Sequence, residues 1–218
     1  MPANDPRNLS AEKVTLDDLQ RYFGLDDRPD PAAFLEWQQD LPTLTDDDRS
    51  RLDKAQAHYN HLSKRPILEA MVKMVILSPL LELAGFYDAP FYATSEKSVN
   101  ISTQDDKLTV RGKIDVLVTL DQFWILVIES KQSGIAIDSG IPQALTYMLA
   151  APNPTIPLYG MVTNGNNFIF IKLHNNTYQL SDEFSLRRRG DLYQVLAILK
   201  HLANVLILRT KHLLDPSH

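Results

Sequence analysis

Two acidic residues and one lysine interrupt a stretch of mainly apolar, β-branched sequence. Glu129 and Lys131 end the run that begins at Trp124, and Asp115 lies in the preceding apolar run. Side chains alternate along a strand, so Glu129 and Lys131 are expected on the same face, and a turn at 121–122 would let Asp115 share it. Two carboxylates and an ammonium at the end of apolar strands are unfavourable to desolvate unless a cation or a substrate compensates their charge.

Carboxylate oxygens of this kind are ligands that Mg²⁺ or Mn²⁺ prefers. A bound divalent ion polarises a phosphoryl oxygen and makes a coordinated water a better nucleophile, and a lysine beside it can orient that water or stabilise the developing charge. The residues therefore predict a metal site at Asp115 and Glu129, with Lys131 beside it, and phosphodiester hydrolysis as the chemistry. The alternative is a cross-strand salt-bridge cluster on a solvated sheet face.

Three further polar residues lie in the predicted helices on either side of these strands. Gln143 and Tyr147 are four residues apart in a predicted helix, 139–151, so their side chains share a face and can point at one substrate. The alternative for this pair is an exposed glutamine and a tyrosine whose hydroxyl reaches solvent. Glu69 lies in an earlier helix, where an i,i+4 surface pair with Lys73 explains it equally well.

The elements that must position these residues follow the order helix, three strands, helix, two strands, helix. An apolar helix begins at Pro66 and is interrupted by Pro79, and a last helix is capped near Asp191. Asn164-Gly165 predicts a hairpin. The predicted strands are a segment around Val99 and Ile101 and the ranges 108–120, 123–129, 158–163 and 168–173. We predict an α/β (α+β) fold with a core of about five mixed strands flanked by helices.

The first 64 residues differ from the rest in charge and pattern. Residues 1–60 have a net charge of −6 and residues 61–218 of +1, so the acidity of the chain belongs to its N-terminal quarter. Short helices are predicted there, with starts at Thr15, Asp30 and Thr45. We predict an acidic helical extension over 1–64 and a core over 65–218.

With these residues in view, the chain resembles the PD-(D/E)xK nuclease superfamily, in which an Asp on one strand is followed by Glu-x-Lys on the next. The helix segment from Gln143 to Tyr147 matches the Gln-x-x-x-Tyr motif of its RecB-like branch. The stretch 66–85 is similar to the opening helix of the nuclease domain of type I restriction enzyme R subunits, and Glu69 matches its acidic position. The resemblance spans roughly residues 66–175, and Ile114 replaces the proline of the superfamily name.

The resemblance implies a restriction-endonuclease-like core and magnesium-dependent cleavage of DNA. Asp115 and Glu129 would bind the Mg²⁺ or Mn²⁺ ion, with Glu69 joining through water. Lys131 would position the attacking water. Gln143 and Tyr147 would orient the DNA backbone or the lysine.

Composition narrows the class of protein. With 44% apolar and 22% charged residues the chain is typical of globular proteins, and without cysteine it has no disulfide, thiol nucleophile or cysteine zinc site. We expect a cytoplasmic protein. The most apolar stretch, 71–86, is interrupted by Lys73, Pro79 and Glu82 and falls short of the ~18 uninterrupted apolar residues of a membrane span, so no membrane crossing is predicted.

Two functions remain open from the sequence. The first is a metal-dependent endonuclease acting on DNA. The alternative is a catalytically silent module of the same fold that binds DNA or a partner protein. Since the chain contains no ATP-driven motor motif, a separate restriction or helicase subunit is one expected partner, and a second copy of the chain, paired through residues 1–60, is another.

Overall fold

A mixed β-sheet forms the centre of the fold. The computed structural model describes residues 7–27, 38–103, 108–152 and 156–214. Within these ranges one sheet contains nine strands, namely β1 (Arg7–Ser10), β2 (Asp26–Asp27), β3 (Phe91–Ser102), β4 (Leu108–Leu120), β5 (Phe123–Ser130), β6 (Leu158–Thr163), β7 (Asn167–His174), β8 (Thr177–Leu180) and β9 (Phe184–Ser185).

The strand order across the sheet is β1-β4-β5-β6-β7-β8-β2, with β3 paired to β4 and β9 paired to β7. The pairs β1–β4, β5–β6 and β2–β8 are parallel, and the other pairs are antiparallel. The middle strands β5 and β6 are buried along nearly their whole length, as expected for strands covered on both faces.

Helices pack on both faces of the sheet. The longer helices of the described ranges are α1 (Leu16–Phe23), α2 (Asp46–Leu62), α3 (69–83), α4 (Ile141–Leu149) and α5 (Asp191–Leu214). Helices α2, α3 and α5 cover one face and form the first core, which includes Tyr59, Ile76 and Leu196. Helices α1 and α4 cover the other face and form the second core, which includes Leu19 and Leu145.

The predicted α/β class, with a mixed sheet flanked by helices, is confirmed, and the five predicted strands are β3 to β7. The sheet is larger than predicted, because β1, β2, β8 and β9 add strands of two to four residues. Strands this short contain too few residues to show an alternating pattern. Strand β3 begins at Phe91, earlier than predicted. The sequence pattern did not indicate its first half because those residues are exposed and lack apolar alternation.

The N-terminal segment packs against the rest of the chain through both strands and helices. Helices α1 and α2 begin where predicted, since Thr15 and Thr45 each form a capping box with an aspartate three residues later. Strand β1 pairs with β4 and β2 pairs with β8, which the sequence pattern did not predict. The predicted helix start at Asp30 lies outside the described residues, and the division between 64 and 65 stays a prediction.

Helix α3 differs from its prediction at both prolines. It begins at Glu69 rather than at Pro66, and it continues through Pro79 to Leu83. Its middle, Lys73–Leu77, is a π-helical turn between the α-helical segments Glu69–Val72 and Ser78–Leu83. Pro79 directly follows this π-helical turn, and the helix continues past it.

Helix α5 is apolar enough to cross a membrane by length and composition, with a mean hydropathy of 1.4 over 191–208. The sequence predicts this segment as a last helix with one apolar face, and it predicts no membrane crossing. In the fold, 56% of that window is buried, and Leu192, Val195, Leu199 and Leu202 pack in the first core. The apolar character of α5 is therefore explained by its place against the sheet.

Candidate active site

A β-bulge sets the register between β4 and β5. The pairing shifts between Val118 and Thr119, where Val118 pairs with Leu126 and Thr119 pairs with Trp124. Ile125 is the extra residue on β5, and Ile125 and Leu126 are both buried in the first core. The bulge therefore changes which β5 residues share a face with β4.

This change of register brings the two predicted acids together. Beyond the bulge the pairing runs to Val116 opposite Ile128, and Asp115 and Glu129 are the next residues of their strands. Without the extra residue, Val116 would pair with Val127 instead of Ile128, and every β5 residue beyond Ile125 would change face relative to β4. The bulge is thus the feature of the hairpin that makes these carboxylates neighbours.

Glu129 is buried, and only one of its two carboxylate oxygens has a hydrogen-bond partner. It is 2% exposed, and its Oε1 accepts a hydrogen bond of 2.8 Å from Lys131 Nζ. Its Oε2 is buried without a hydrogen-bond partner. Burial, followed by the negative charge of Asp115, raises the pKa of Glu129 from 4.5 to about 8, and Lys131 only partly offsets this effect. An unsatisfied buried carboxylate oxygen is a feature that a ligand at this position would explain.

Asp115 lies at the end of the same strands. Its Oδ2 accepts a hydrogen bond of 2.7 Å from the backbone N–H of Ser130, and its Oδ1 accepts one of 2.6 Å from Lys73 Nζ. Burial raises the pKa of Asp115, while the bonds from Lys73 and Ser130 act in the opposite direction. Lys73 approaches from α3 on the first-core side, whereas Lys131 lies against α4 on the second-core side, so a lysine flanks the acid pair on each side.

Lys131, Gln143 and Tyr147 form a chain of hydrogen bonds. Lys131 Nζ donates to Gln143 Oε1, and Gln143 Nε2 donates to the hydroxyl oxygen of Tyr147 over 2.8 Å. Burial, the largest effect, raises the pKa of Tyr147 to about 12. Both side chains of the predicted Gln-x-x-x-Tyr pair are buried, so the alternative of an exposed glutamine does not describe this helix. These hydrogen bonds hold the Lys131 ammonium in one position.

Glu69 is joined to the acids through Lys73. Its Oε1 lies 2.8 Å from Lys73 Nζ, which is the i,i+4 pair that the sequence allowed. The same ammonium reaches Asp115, and burial would lower the pKa of Lys73, but its hydrogen bonds to Asp115 and Glu69 outweigh this and raise it. A role of Glu69 at a metal stays a prediction.

Sequence reasoning missed two residues that shape the site. The sequence predicts Lys73 only as the i,i+4 surface partner of Glu69, although a lysine within an apolar helix is a usable signal. Gly112 has no room for a side chain, because a Cβ there would lie 2.8 Å from the Tyr147 hydroxyl. A lone glycine in a strand indicates only a close approach, without naming its partner.

Asp115 and Glu129 form a small donor set for a metal ion. Within the described ranges, no group of three or more His, Asp or Glu side chains is arranged to hold a metal. Two carboxylates nevertheless fit Mg²⁺, which is commonly bound through one or two carboxylates and retains several waters. The unpartnered Oε2 of Glu129 fits the same ion. The histidines at 58 and 61 are solvent-facing residues of α2 and take no part in this site.

Comparisons with known proteins show little similarity. No family model matches the sequence, and no curated protein matches it. Among solved structures, the chain is similar to the fragment structure of a protein assigned as an HsdR subunit of a type I restriction enzyme from Vibrio vulnificus, with 20% identity and a TM-score of 0.42. The match covers 60% of this chain and 25% of that one, so the chain corresponds to a quarter of its length. A similarity of this size carries no argument about fold or function.

Proposed function

We propose that this chain is a divalent-metal-dependent nuclease that hydrolyses DNA phosphodiester bonds. The observation that carries the proposal is the Glu129 carboxylate, which is buried beside Asp115 with one oxygen bonded to Lys131 and the other unpartnered. Lys131 offsets only part of the unfavourable burial of this charge, so a bound cation would stabilise the arrangement. Acidic side chains whose pKa is strongly shifted are typical of catalytic sites.

Asp115 and Glu129 would hold the metal ion, Mg²⁺ or Mn²⁺. When bound, the ion would supply polarisation of a phosphoryl oxygen and a more acidic water. Lys131 would hold that water or stabilise the charge that develops on the phosphate. Gln143 and Tyr147 would keep the Lys131 ammonium oriented, since their hydrogen bonds leave it little freedom.

The proposed activity is tested by nicking of a supercoiled plasmid. The purified chain is incubated with Mg²⁺ or Mn²⁺, and a parallel sample contains EDTA. We expect nicked circles with the metal and none with EDTA. Absence of nicking with either metal would contradict the proposal for the free chain.

A silent DNA-binding or protein-binding module is the second candidate, and a specific observation favours it. Each carboxylate already contacts a lysine, Asp115 through Lys73 and Glu129 through Lys131. Lysine could replace the metal permanently in a silent module. Calorimetric titration with Mn²⁺ separates the candidates, because a silent module needs no affinity for the ion.

Replacing Lys73 with Met should strengthen metal binding. The substitution removes the ammonium that occupies Asp115 Oδ1 and Glu69 Oε1, so both oxygens become available to a cation. We expect the dissociation constant for Mn²⁺, measured by calorimetry, to fall by about tenfold, which corresponds to roughly 1.4 kcal/mol. The matched control is Lys54→Met on the exposed side of α2. Equal Mn²⁺ affinity in Lys73→Met and the wild type would show that Lys73 does not compete with the ion.

Both partner predictions belong to this proposal. A subunit that carries a motor, or a second copy of the chain, would bring the site to DNA in a defined geometry. Sedimentation of the isolated chain, whose mass is 24.7 kDa, distinguishes a monomer from a dimer.

A further inference from the structure

The outer part of the sheet beside the candidate active site has one polar face. Strands β1, β4 and β3 lie side by side there, with β1 parallel and β3 antiparallel to β4. Apolar residues such as Leu9, Val99 and Val110 pack on the second-core side. Because side chains alternate along a strand, the residues between them lie on the opposite face. This polar face consists of Asn8, Ser10, Ser98, Asn100, Ser102, Thr109, Arg111 and Lys113.

The polar face is open to solvent. All eight residues are exposed except Thr109, which is half-buried, and the side chain of Lys113 is 63% exposed. One hydrogen bond crosses the face, between the hydroxyl groups of Ser102 and Thr109 at 2.9 Å. The face therefore presents short hydroxyl and amide groups on a rigid sheet.

The charge of the polar face is opposite to that of the chain. Arg111 and Lys113 are its charged residues, and none of the eight is acidic, whereas the whole chain has a net charge of −5. Protein–protein interfaces are usually apolar or aromatic at their centre, and this face has no such side chain. Surfaces that bind the phosphates and sugars of nucleic acids instead combine basic side chains with small side chains that form hydrogen bonds.

The polar face continues into the candidate active site. Lys113 precedes Asp115 by two residues on β4, a distance of about 6.6 Å along an extended strand. Glu96 of β3 lies at the boundary, with Oε2 at 3.9 Å from Lys113 Nζ and Oε1 at 3.7 Å from Lys73 Nζ. A backbone bound along β4 would therefore reach Asp115, the more exposed of the two acids.

We propose that the polar face of β1, β4 and β3 binds the sugar–phosphate backbone of DNA and leads it to Asp115 and Glu129. The inference rests on the proposed nuclease function, and it names the surface that holds the substrate. Arg111 and Lys113 contact phosphates, and the serine and asparagine side chains donate hydrogen bonds to backbone oxygens. Such contacts position the strand without reading its sequence.

The test is the binding of a fluorescein-labelled DNA duplex by anisotropy, in EDTA so that no cleavage occurs. We expect Arg111→Ala/Lys113→Ala to weaken binding by about tenfold or more at low salt and to reduce the salt slope by about 1 for each lost phosphate contact. The weakening should be the same for duplexes of different sequence. Glu96→Gln, which releases Lys113 from its acidic neighbour, should strengthen binding.

Two controls make the result specific to this face. Lys54→Ala/Lys64→Ala, on α2 and the turn after it, changes the net charge equally and should leave binding unchanged. Arg111→Lys/Lys113→Arg keeps both charges and should retain affinity. Binding by Arg111→Ala/Lys113→Ala within about twofold of the wild type, or equal weakening by the control at Lys54 and Lys64, would overturn the proposal.

Failure of this inference and failure of the proposed function give different results. If the wild type nicks plasmid with Mg²⁺ but its DNA binding does not depend on Arg111 and Lys113, only the proposed role of the polar face is contradicted. If DNA binding depends on both residues but the protein neither binds Mn²⁺ nor nicks plasmid, only the nuclease function is contradicted. A single-stranded probe in the same assay shows whether the face prefers one strand or a duplex.

Discussion

Replacing Glu129 with Gln should reduce metal-dependent plasmid nicking by on the order of 10³-fold, because the metal contributes several kcal/mol to the reaction. Gln keeps the shape of the side chain and a hydrogen-bond acceptor for Lys131, but it removes the negative charge that a dication needs. The binding of Mn²⁺, measured by calorimetry, should be lost together with nicking. The loss of both properties distinguishes a ligand from a residue that only contacts DNA.

Two further variants complete this experiment. Glu82→Gln, at an exposed position on α3, removes the same charge away from the site and should nick at the wild-type rate. Lys131→Met should retain Mn²⁺ binding while losing nicking, since the lysine is proposed to act on the water or the phosphate rather than on the ion. Nicking by Glu129→Gln at the rate of Glu82→Gln would remove Glu129 from the mechanism.

The same Glu129→Gln substitution should stabilise the fold at alkaline pH. The pKa of Glu129 rises from 4.5 in the unfolded chain to about 8 in the folded protein, chiefly because the carboxylate is buried. Between these two values the folded protein retains a proton that the unfolded chain has released. The free energy of unfolding of the wild type therefore decreases as the pH rises from about 4.5 to about 8, and the full loss remains above that range. Below about 4.5 both states are protonated, and Glu129 contributes no pH dependence.

A glutamine side chain cannot ionise, so this component of the pH dependence should disappear in the variant. We expect Glu129→Gln to exceed the wild type by about 2–5 kcal/mol in the free energy of unfolding near pH 9, and to differ much less near pH 4. Urea unfolding in EDTA at several pH values measures both quantities, with Glu82→Gln as the control. A wild-type profile parallel to that of Glu129→Gln would show that Glu129 is not the destabilising acid.

The two predictions together describe a residue that opposes stability where it supports function. Glu129 would be retained despite its effect on the fold because a metal ion needs its charge. Such trade-offs between activity and stability are common at active sites. Neither result alone would show this, since a purely structural acid changes only stability and an exposed DNA contact changes only binding.

Local features were predictable from the sequence. The helix starts at Thr15 and Thr45 depend on side chains within one turn, and the hairpin at Asn164-Gly165 depends on the two turn residues. The candidate residues on β4 and β5 follow from residue type and spacing, and those on α4 from the resemblance to the Gln-x-x-x-Tyr motif. In each case the structure is determined by a few consecutive residues, through their local conformational propensities and hydrogen bonds.

The geometry of the site was decided only by the tertiary structure. The run Phe123–Ser130 is almost entirely apolar up to Glu129, so no alternation in the sequence reveals the bulge within it. The bulge leaves Ile125 and Leu126 both packed in the first core, and it sets the register that ends with Val116 opposite Ile128, one residue before Asp115 and Glu129. The contact of Lys73 with Asp115 likewise joins residues 42 positions apart.

Sequence by itself therefore determined which residues were available and which local elements contained them. Tertiary packing determined their register, their burial and the unpartnered Glu129 Oε2. The physical reason is that secondary-structure signals are local, whereas register and desolvation depend on how both faces of the sheet are covered by helices distant in sequence.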